Sequence, residues 1–118
     1  TAVYNSKQTK LILNNINKTT KVIVSIFAGR MADTGKNPIP QFRESLKISK
    51  KYKNVEILWA SPREVLNYYQ AQDIGCHIIT MPKDLIQKLK LYNKNLEDYS
   101  LETVKMFYND AVKSDFKI

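Results

Sequence analysis

The sequence predicts a parallel α/β fold, either one half of an eight-stranded β/α barrel or a small doubly wound sheet. Short apolar runs alternate with segments of helical spacing along the 118 residues. The run Val22–Phe27 is almost continuously apolar, which is typical of a strand buried on both faces of a parallel sheet. Such alternation favours parallel strands joined by right-handed crossovers. Periodicity does not separate the two architectures, but both place functional residues at the carboxyl ends of the strands.

Four strands and five helices account for the chain. The strands, rich in β-branched and aromatic residues, are predicted at 1–4, 22–27, 55–59 and 76–80. Asn5 and Gln8 predict a capping box for a helix over 6–17, and a second helix is predicted over 41–53. A third begins with Ser61 as cap and Glu64 completing a capping box, and Gly75 ends it. A fourth helix begins at Pro82, and a fifth contains the apolar positions between 101 and 112. Residues 30–40 are predicted to be a loop.

Composition indicates one domain, residues 1–118, of an ordinary globular protein. The chain is 43% hydrophobic and 25% charged, and it has neither a signal sequence nor an apolar run long enough to cross a bilayer. Its single cysteine, Cys76, excludes an internal disulfide and fits a reducing, cytoplasmic compartment. Cys76 and His77 are adjacent in a predicted strand and point to opposite faces, which argues against a metal site. Thr1 lies inside the first predicted strand, so we expect a truncated or processed protein.

The basic composition allows two classes of anionic partner. The formal charge of +8 attracts either nucleic acid or a phosphorylated metabolite. The lysines are scattered and no basic patch is interleaved with aromatic residues, so we expect nucleic acid to be the less favoured partner. A solvated lysine coat with no binding role is the third interpretation.

The strongest candidate for ligand binding follows the second strand. Arg30 lies just beyond it, where a guanidinium can take a phosphate through two hydrogen bonds, and Gly29 lets the backbone approach a ligand. Ser25, the polar residue inside the apolar run, needs a hydrogen-bond partner if it is buried. In the alternative interpretation, Arg30 pairs with Asp33 and Ser25 bonds to backbone.

Two other positions are weaker candidates. Ser61 begins a helix, where an anion is favoured, but its role as a cap already explains it. Thr1 has a hydroxyl that can position water, or it is simply a β-branched strand residue. His77 alternates with apolar neighbours and fits a packed strand position better than a catalytic base.

No predicted strand contains a lysine. A lysine that forms an imine must lie in a desolvated interior, where its amine is neutral near pH 7. We therefore expect this chain alone not to form a Schiff base efficiently.

Five stretches carry a resemblance to a known family: residues 24–35, VSIFAGRMADTG, which is the most specific, then residues 1–4 with Gln8, 58–64, 74–80 and 99–107. Through them the chain resembles the transaldolase family, including its fructose-6-phosphate aldolase-like branch, and residues 24–35 resemble the family's sixth strand and phosphate loop. The resemblance implies the C-terminal half of a (β/α)8 barrel, written (β/α)4, with an additional C-terminal helix. It also implies transfer of a dihydroxyacetone unit between sugar phosphates through a lysine Schiff base, with no metal or other cofactor.

The resemblance implies specific roles for residues of this chain. Arg30 and Ser25 would hold the sugar phosphate, Phe27 would line the pocket, and Thr1 would help to place the catalytic water. The fourth-strand lysine and first-strand acid of the family would precede Thr1. Leu58 and Ala60 stand where the family has a serine and a basic residue on phosphate, so Ser61 or Arg63 would have to replace them.

A half barrel leaves sheet edges unpaired and an apolar interior open, so we expect the isolated chain to self-associate into homo-oligomers. Two alternatives remain for its function. One is a basic nucleic-acid-binding module, and the other is a non-catalytic half-barrel subunit that works with a separate N-terminal chain.

Overall fold

The computed structural model describes residues 1–114, and it has the predicted parallel α/β architecture. Strands β1 (Val22–Phe27), β2 (Val55–Ala60) and β3 (Ile78–Ile79) form one parallel sheet in chain order. The helices are α1 (Ser6–Leu13), α2 (Ala28–Asp33), α3 (Ile39–Ser49), α4 (Val65–Asp73), α5 (Lys83–Lys88) and α6 (Leu96–Lys113), with a 3₁₀ turn at Leu89–Leu91. The chain divides into two compact units, Thr1–Gln87 and Lys88–Ile118.

The first predicted strand is reduced to a single bridge. Val3 pairs with Ile26 in the parallel sense, and its N–H donates to the Ser25 carbonyl oxygen at 3.1 Å. Ala2 has a φ of 56°, in the left-handed region, so the extended conformation cannot continue before Val3. Directly afterwards Asn5 caps α1, where it forms the predicted capping box with Gln8. Pairing therefore lasts for one residue.

The core of the first unit lies between the sheet and α3. Phe42 and Leu46 fall one turn apart on α3 and are buried, as are Ile57 and Trp59 on β2. The rings of Phe42 and Trp59 stack with centroids 4.6 Å apart and planes 20° from parallel. This stacked pair, formed by the two largest fully buried side chains, joins α3 to β2.

The other face of the sheet is open, contrary to the prediction that β1 is buried on both faces. Val24 and Ile26 are buried, but the alternate residues Ile23, Ser25 and Phe27 are exposed or half-buried, with Ile23 46% exposed. On β2 the half-buried positions are Glu56, Leu58 and Ala60. These six residues define what we call the open face. Burial alternates because successive side chains of a strand point to opposite faces of the sheet, and α3 packs on the face that carries Trp59.

Several local predictions about helix boundaries are wrong: α1 ends at Leu13 rather than at residue 17, and α3 spans Ile39–Ser49 rather than 41–53. Residues 28–33, partly predicted as loop, form α2 because Ala28 and Met31 are buried on one side of it, and Gly35 with a φ of 80° follows its end. Ser61 does not cap α4: its φ is 59°, Glu64 is the N-cap, and the helix begins at Val65. The side chain of Asn67 instead accepts hydrogen bonds from the N–H groups of residues 63 and 64, at 2.8 and 3.0 Å.

Strand β3 is shorter than the predicted run 76–80 because two side chains, and not backbone groups, form its first hydrogen bonds to β2. The Ile57 N–H donates to Nδ1 of His77 at 3.0 Å. The thiol of Cys76 donates to the Ile57 carbonyl oxygen at 3.3 Å. Ile57 therefore satisfies its outward backbone groups with an imidazole and a thiol, and regular pairing starts only at Ile78.

The second unit contains α6, the predicted final helix. Asn95 caps it by accepting from the N–H groups of Glu97 and Asp98, at 2.9 and 3.1 Å. Its apolar side chains are exposed: Leu96, Tyr99, Leu101, Val104, Met106, Phe107, Tyr108 and Val112. In the described part of the chain, no helix combines the length and the hydropathy that a membrane span requires.

Candidate functional site

The carboxyl ends of β1 and β2 bring two segments of the chain into contact. Phe27 is paired with Ala60 at the last rung of the ladder, so α2 and residues 61–64 leave the sheet side by side. A β-carbon on Gly29 would lie 2.0 Å from the Ser61 carbonyl oxygen and 2.8 Å from its β-carbon. The glycine is therefore needed for the approach of Ser61, not for that of a ligand as the sequence suggested.

Arg30 is a free cation at this edge. It is exposed, and within residues 1–114 it forms neither an ion pair nor a side-chain hydrogen bond. Asp33, the acidic residue in the next part of α2, accepts instead from Nη2 of Arg63 at 3.0 Å. The alternative interpretation, in which Arg30 pairs with Asp33, is wrong. Its guanidinium is available to an anion.

The Arg30 cavity has a volume of about 350 Å³ and favours an anion. Its lining is Tyr4, Asn5, Arg30, Met31, Thr34, Lys36 and Gln41. Lys36 adds a second cation, and it has no ion pair within the described residues. No carboxylate is among the described residues that line the cavity. Asn5 and Gln41 already use their carbonyl oxygens on backbone N–H groups, which leaves their amide N–H groups as donors.

A second space, the Arg63 cavity, lies beside it with a volume of about 370 Å³. It runs between α2 and α4, and Gly29, Lys36, Trp59 and Arg63 are among the residues that line it. Trp59 is 1% exposed and its Nε1–H has no partner among the described residues. Lys36 lines both cavities, so its ammonium group can serve either one.

The other predicted site residues are not collected around Arg30. Ser25 and Phe27 lie on the open face, where the Phe27 ring meets Tyr4 edge to face with centroids 6.1 Å apart. The Ser25 hydroxyl has no hydrogen bond within residues 1–114, so its predicted backbone bond is absent. Thr1 is exposed and precedes the single bridge at Val3. Neither these three residues nor Ser61 line the two cavities.

Sequence reasoning missed Lys36 as part of the candidate site. It lay in a segment predicted to be a featureless loop, and one lysine among many gives no signal by itself. The turn at Gly35, with a φ of 80°, follows α2 and puts Lys36 next to the end of the helix that carries Arg30. A glycine directly followed by a lysine, Gly35–Lys36, was the one sequence signal that could have indicated a cation at a turn near Arg30.

Parallel strands, helical crossovers and a cationic cavity at their carboxyl edge define an α/β protein whose site favours an anionic ligand. Residues 1–118 match the family described as Transaldolase/Fructose-6-phosphate aldolase. The chain belongs to this family, as the resemblance at residues 24–35 indicated.

A curated relative supports the same assignment. The chain is 32% identical over 89 residues to a protein of Herpetosiphon aurantiacus named "Probable transaldolase". The match covers 72% of this chain and 40% of the relative. The match therefore spans less than half the length of this curated relative.

Proposed function

We propose that this chain supplies the phosphate-binding part of a transaldolase-like enzyme. In the complete protein the reaction is transfer of a dihydroxyacetone unit between sugar phosphates through a lysine Schiff base, in carbohydrate metabolism. Family membership supports the reaction class. The observation that carries the phosphate-binding role is the unpaired guanidinium of Arg30 at the carboxyl edge of the sheet, together with Lys36 in the same cavity.

The proposed catalytic step needs a lysine that this chain does not provide on a strand. Strands β1, β2 and β3 contain no lysine, and residues 1–4 contain none either. A lysine on an exposed helix or loop keeps its ordinary high pKa and is a poor nucleophile near pH 7. We propose that the Schiff-base lysine lies outside residues 1–118 and that the chain alone binds substrate without turnover.

The remaining predicted residues have proposed roles that follow from their places in the sheet. Ser25 and Phe27 lie on the open face, which in a closed barrel would be the interior, and there they would contact the sugar. Ser61 follows the carboxyl end of β2, and its hydroxyl group would contact the phosphate. Thr1 precedes the bridge at Val3, and its hydroxyl group would contact the catalytic water. We propose Arg63 as a second cation that can bind the phosphate, because its side chain lies close to Gly29. Its guanidinium pairs with Asp33, an exposed carboxylate that an anionic ligand can replace.

Calorimetric titration with fructose 6-phosphate tests the binding role. Arg30→Gln should weaken binding roughly tenfold, since a charge-assisted hydrogen bond contributes about 1.5–3 kcal/mol. Lys36→Gln should weaken it less. Arg43→Gln is the matched control, because Arg43 is an exposed arginine on α3 that does not line the cavity. Equal losses in the Arg30 and Arg43 variants would show general charge attraction and contradict the proposal.

The same variants separate the alternative functions. A nucleic-acid-binding module should bind oligonucleotides with a steep dependence on salt that Arg30→Gln does not change. A non-catalytic half-barrel subunit should bind sugar phosphate yet remain inactive when it is combined with the lysine-bearing half of a relative. We favour the phosphate-binding part of an enzyme, because the candidate cations Arg30 and Lys36 line one cavity and do not form a stripe along the surface.

We also propose that the isolated chain self-associates through the open face and the sheet edge, and that it acts in the cytoplasm. The first proposal rests on Ile23, an apolar strand residue that is 46% exposed. The second rests on the single, half-buried Cys76, which forms no disulfide within the chain.

A further inference from the structure

A cavity of about 410 Å³ opens at the end of the sheet opposite to Arg30. It is lined by Leu46, Lys50, Tyr52, Lys53, Val55 and His77, together with the last residues of α3 and those that follow α4. Val55 is the first residue of β2, and His77 directly precedes β3. We call it the basal cavity. The five steps from Val55 to Ala60 span about 16 Å, which separates it from the carboxyl edge of the sheet.

The charge balance of the basal cavity favours an anion. Lys50 and Lys53 are exposed, and neither forms an ion pair within the described residues. Two helix C-termini, those of α3 and α4, face this end and together contribute about one negative elementary charge. The two ammonium groups therefore exceed what the helix ends neutralise by about one positive charge.

Nearby carboxylates do not cancel this excess. No carboxylate is among the described residues that line the basal cavity. Glu56, next to Val55, is paired with Lys21, and that hydrogen bond lowers the pKa of Glu56 below its ordinary value. Asp73, the last residue of α4, is exposed to solvent and lies outside the lining. Its charge is screened by water.

His77 adds a donor whose orientation is fixed. Its Nδ1 accepts from the Ile57 N–H at 3.0 Å, so the neutral ring carries its proton on Nε2. Nε2 has no partner within the described residues, and the side chain is exposed. The backbone bond holds the ring in place before any ligand arrives, which lowers the entropic cost of binding.

The floor of the basal cavity is apolar. Leu46 and Val55 are 7% and 5% exposed, and the ring of Tyr52 is half-buried beside them. A phosphate held by the two lysines and His77 would leave an attached organic group over this surface. The pairing of a cationic rim with an apolar floor fits an organic phosphate monoester better than inorganic phosphate.

We propose that the basal cavity is a second binding site, specific for organic phosphate monoesters and separate from the Arg30 cavity. Lys50 and Lys53 bind the phosphate oxygens, Nε2–H of His77 donates to a third, and the organic group packs on Tyr52, Leu46 and Val55. A site at this end leaves the carboxyl edge free, so it can be occupied together with the proposed substrate.

Two-dimensional NMR of the ¹⁵N-labelled chain tests the proposal, with phenyl phosphate, inorganic phosphate and phenol as probes. Phenyl phosphate should shift the Ile57 amide and the His77 imidazole signals, inorganic phosphate should do so more weakly, and phenol should not. AMP and fructose 6-phosphate then distinguish a nucleotide from a sugar phosphate as the natural ligand class. Shifts of the Arg30 region alone, with the Ile57 and His77 signals unmoved, would overturn the proposal.

Charge-matched variants exclude non-specific attraction by the basic chain. The double variant Lys50→Gln/Lys53→Gln should weaken phenyl phosphate binding roughly tenfold or more. The control Lys47→Gln/Lys51→Gln removes the same charge from exposed neighbours that do not line the basal cavity. This control should shift the Ile57 and His77 signals as the unchanged chain does. Equal weakening of phenyl phosphate binding in the two double variants would show general charge attraction and refute the proposed site.

His77→Asn tests the imidazole without removing the acceptor for Ile57. The Asn Oδ1 can replace Nδ1, whereas the Asn Nδ2–H2 donors lie closer to the backbone and do not reach the position of Nε2. This variant should keep the amide spectrum of the fold and weaken phenyl phosphate binding several-fold, by about the strength of one hydrogen bond. Unchanged affinity in a folded His77→Asn chain would remove His77 from the site.

Discussion

The carbonyl oxygen of Ser61 lies 2.0 Å from the point where a side chain on Gly29 would begin. This approach joins the first turn of α2 to the segment that leads into α4. The φ of 59° at Ser61 turns its backbone into this position, in a region that non-glycine residues seldom occupy. Gly29 and Ser61 therefore set the relative placement of Arg30 and Arg63, the two arginines of the candidate site.

The first prediction concerns Gly29→Ala. Helix propensity alone predicts a gain of up to about 1 kcal/mol, because alanine is the better helix former. The contact with Ser61 predicts a loss of about 1–3 kcal/mol, because backbone must move to admit a β-carbon. We expect the loss, measured as the free energy of unfolding in urea. Ala32→Gly in the same helix is the control, with an expected loss below about 1 kcal/mol. A more stable Gly29→Ala chain would contradict the contact.

The second prediction concerns Asp33→Asn. The Asp33–Arg63 ion pair is exposed, with side chains 59% and 53% accessible, so its loss should cost less than about 1 kcal/mol of stability. Removal of the carboxylate also frees Arg63 and lowers repulsion of an anion at the carboxyl edge. We expect fructose 6-phosphate to bind several-fold more tightly at low salt, as measured by calorimetry. Exposed Asp110→Asn on α6 is the control, and weaker binding by Asp33→Asn would contradict the proposed position of the phosphate.

The elements predicted best from sequence are those with strong local signals. Strand β1 has the predicted bounds because an apolar run of β-branched residues begins after polar Lys21. The start of α1 is as predicted because Asn5 and Gln8 form a capping box between near neighbours. Gly75, with a φ of 76°, follows the end of α4 as expected. In each case the interaction that determines the boundary is local in sequence.

The parts that were not predicted depend on contacts between distant residues. Arg30 is free because Asp33 pairs with Arg63, thirty residues away, and no periodicity reveals that choice. Strand β3 is short because Cys76 and His77 bond to the backbone of Ile57. The cation Lys36 joins Arg30 only through the fold of a segment that looks irregular. Tertiary contacts override local propensity at these three places.

The third prediction concerns a buried pair of hydroxyl groups. Thr9 on α1 and Ser45 on α3 are fully buried, and their oxygens are 2.8 Å apart. Thr9→Val leaves the Ser45 hydroxyl unsatisfied, which should cost about 1–3 kcal/mol of the free energy of unfolding. The double change Thr9→Val/Ser45→Ala removes both groups, and it should be more stable than either single variant. Additive losses in the double-mutant cycle would show that the hydroxyls do not interact.

The fourth prediction concerns pH. Burial raises the pKa of the Cys76 thiol, although hydrogen bonds with the backbone oppose part of this effect. The folded chain therefore retains the thiol proton at pH values where the unfolded chain, with a thiol pKa of about 8.5, has lost it. This contribution to stability is complete below the unfolded pKa and is lost as pH rises toward the folded pKa. We expect a steeper loss of stability above about pH 8.5 than in Cys76→Ala.

The measurement is urea unfolding of both chains across that pH range, where the difference between them isolates the thiol from lysine and tyrosine titration. Alkylation of Cys76 should also be slower in the folded chain than in urea, since the thiolate is the reactive form. Parallel pH profiles for the two chains, or equal alkylation rates, would contradict the raised pKa.

The fifth prediction concerns self-association through the open face. Ile23 is an apolar strand residue with 46% of its surface exposed, and Leu58 lies half-buried on the neighbouring strand of the same face. Burial of such a surface against a second copy removes apolar area from water and covers unpaired strand edges. We expect light scattering at tens of micromolar to show a dimer or larger species, and Ile23→Glu to shift it toward monomer.

Two charge insertions elsewhere make this test specific. Leu11→Glu, on α1, places the same charge on a residue that is 67% exposed and away from the open face, so association should persist. Phe107→Glu places it on α6, where the exposed apolar side chains offer a competing contact. Dissociation by Phe107→Glu with no effect of Ile23→Glu would assign the interface to the helix. A monodisperse monomer of the unchanged chain would contradict association by either surface, because neither would then bury enough apolar area to offset the entropy of association.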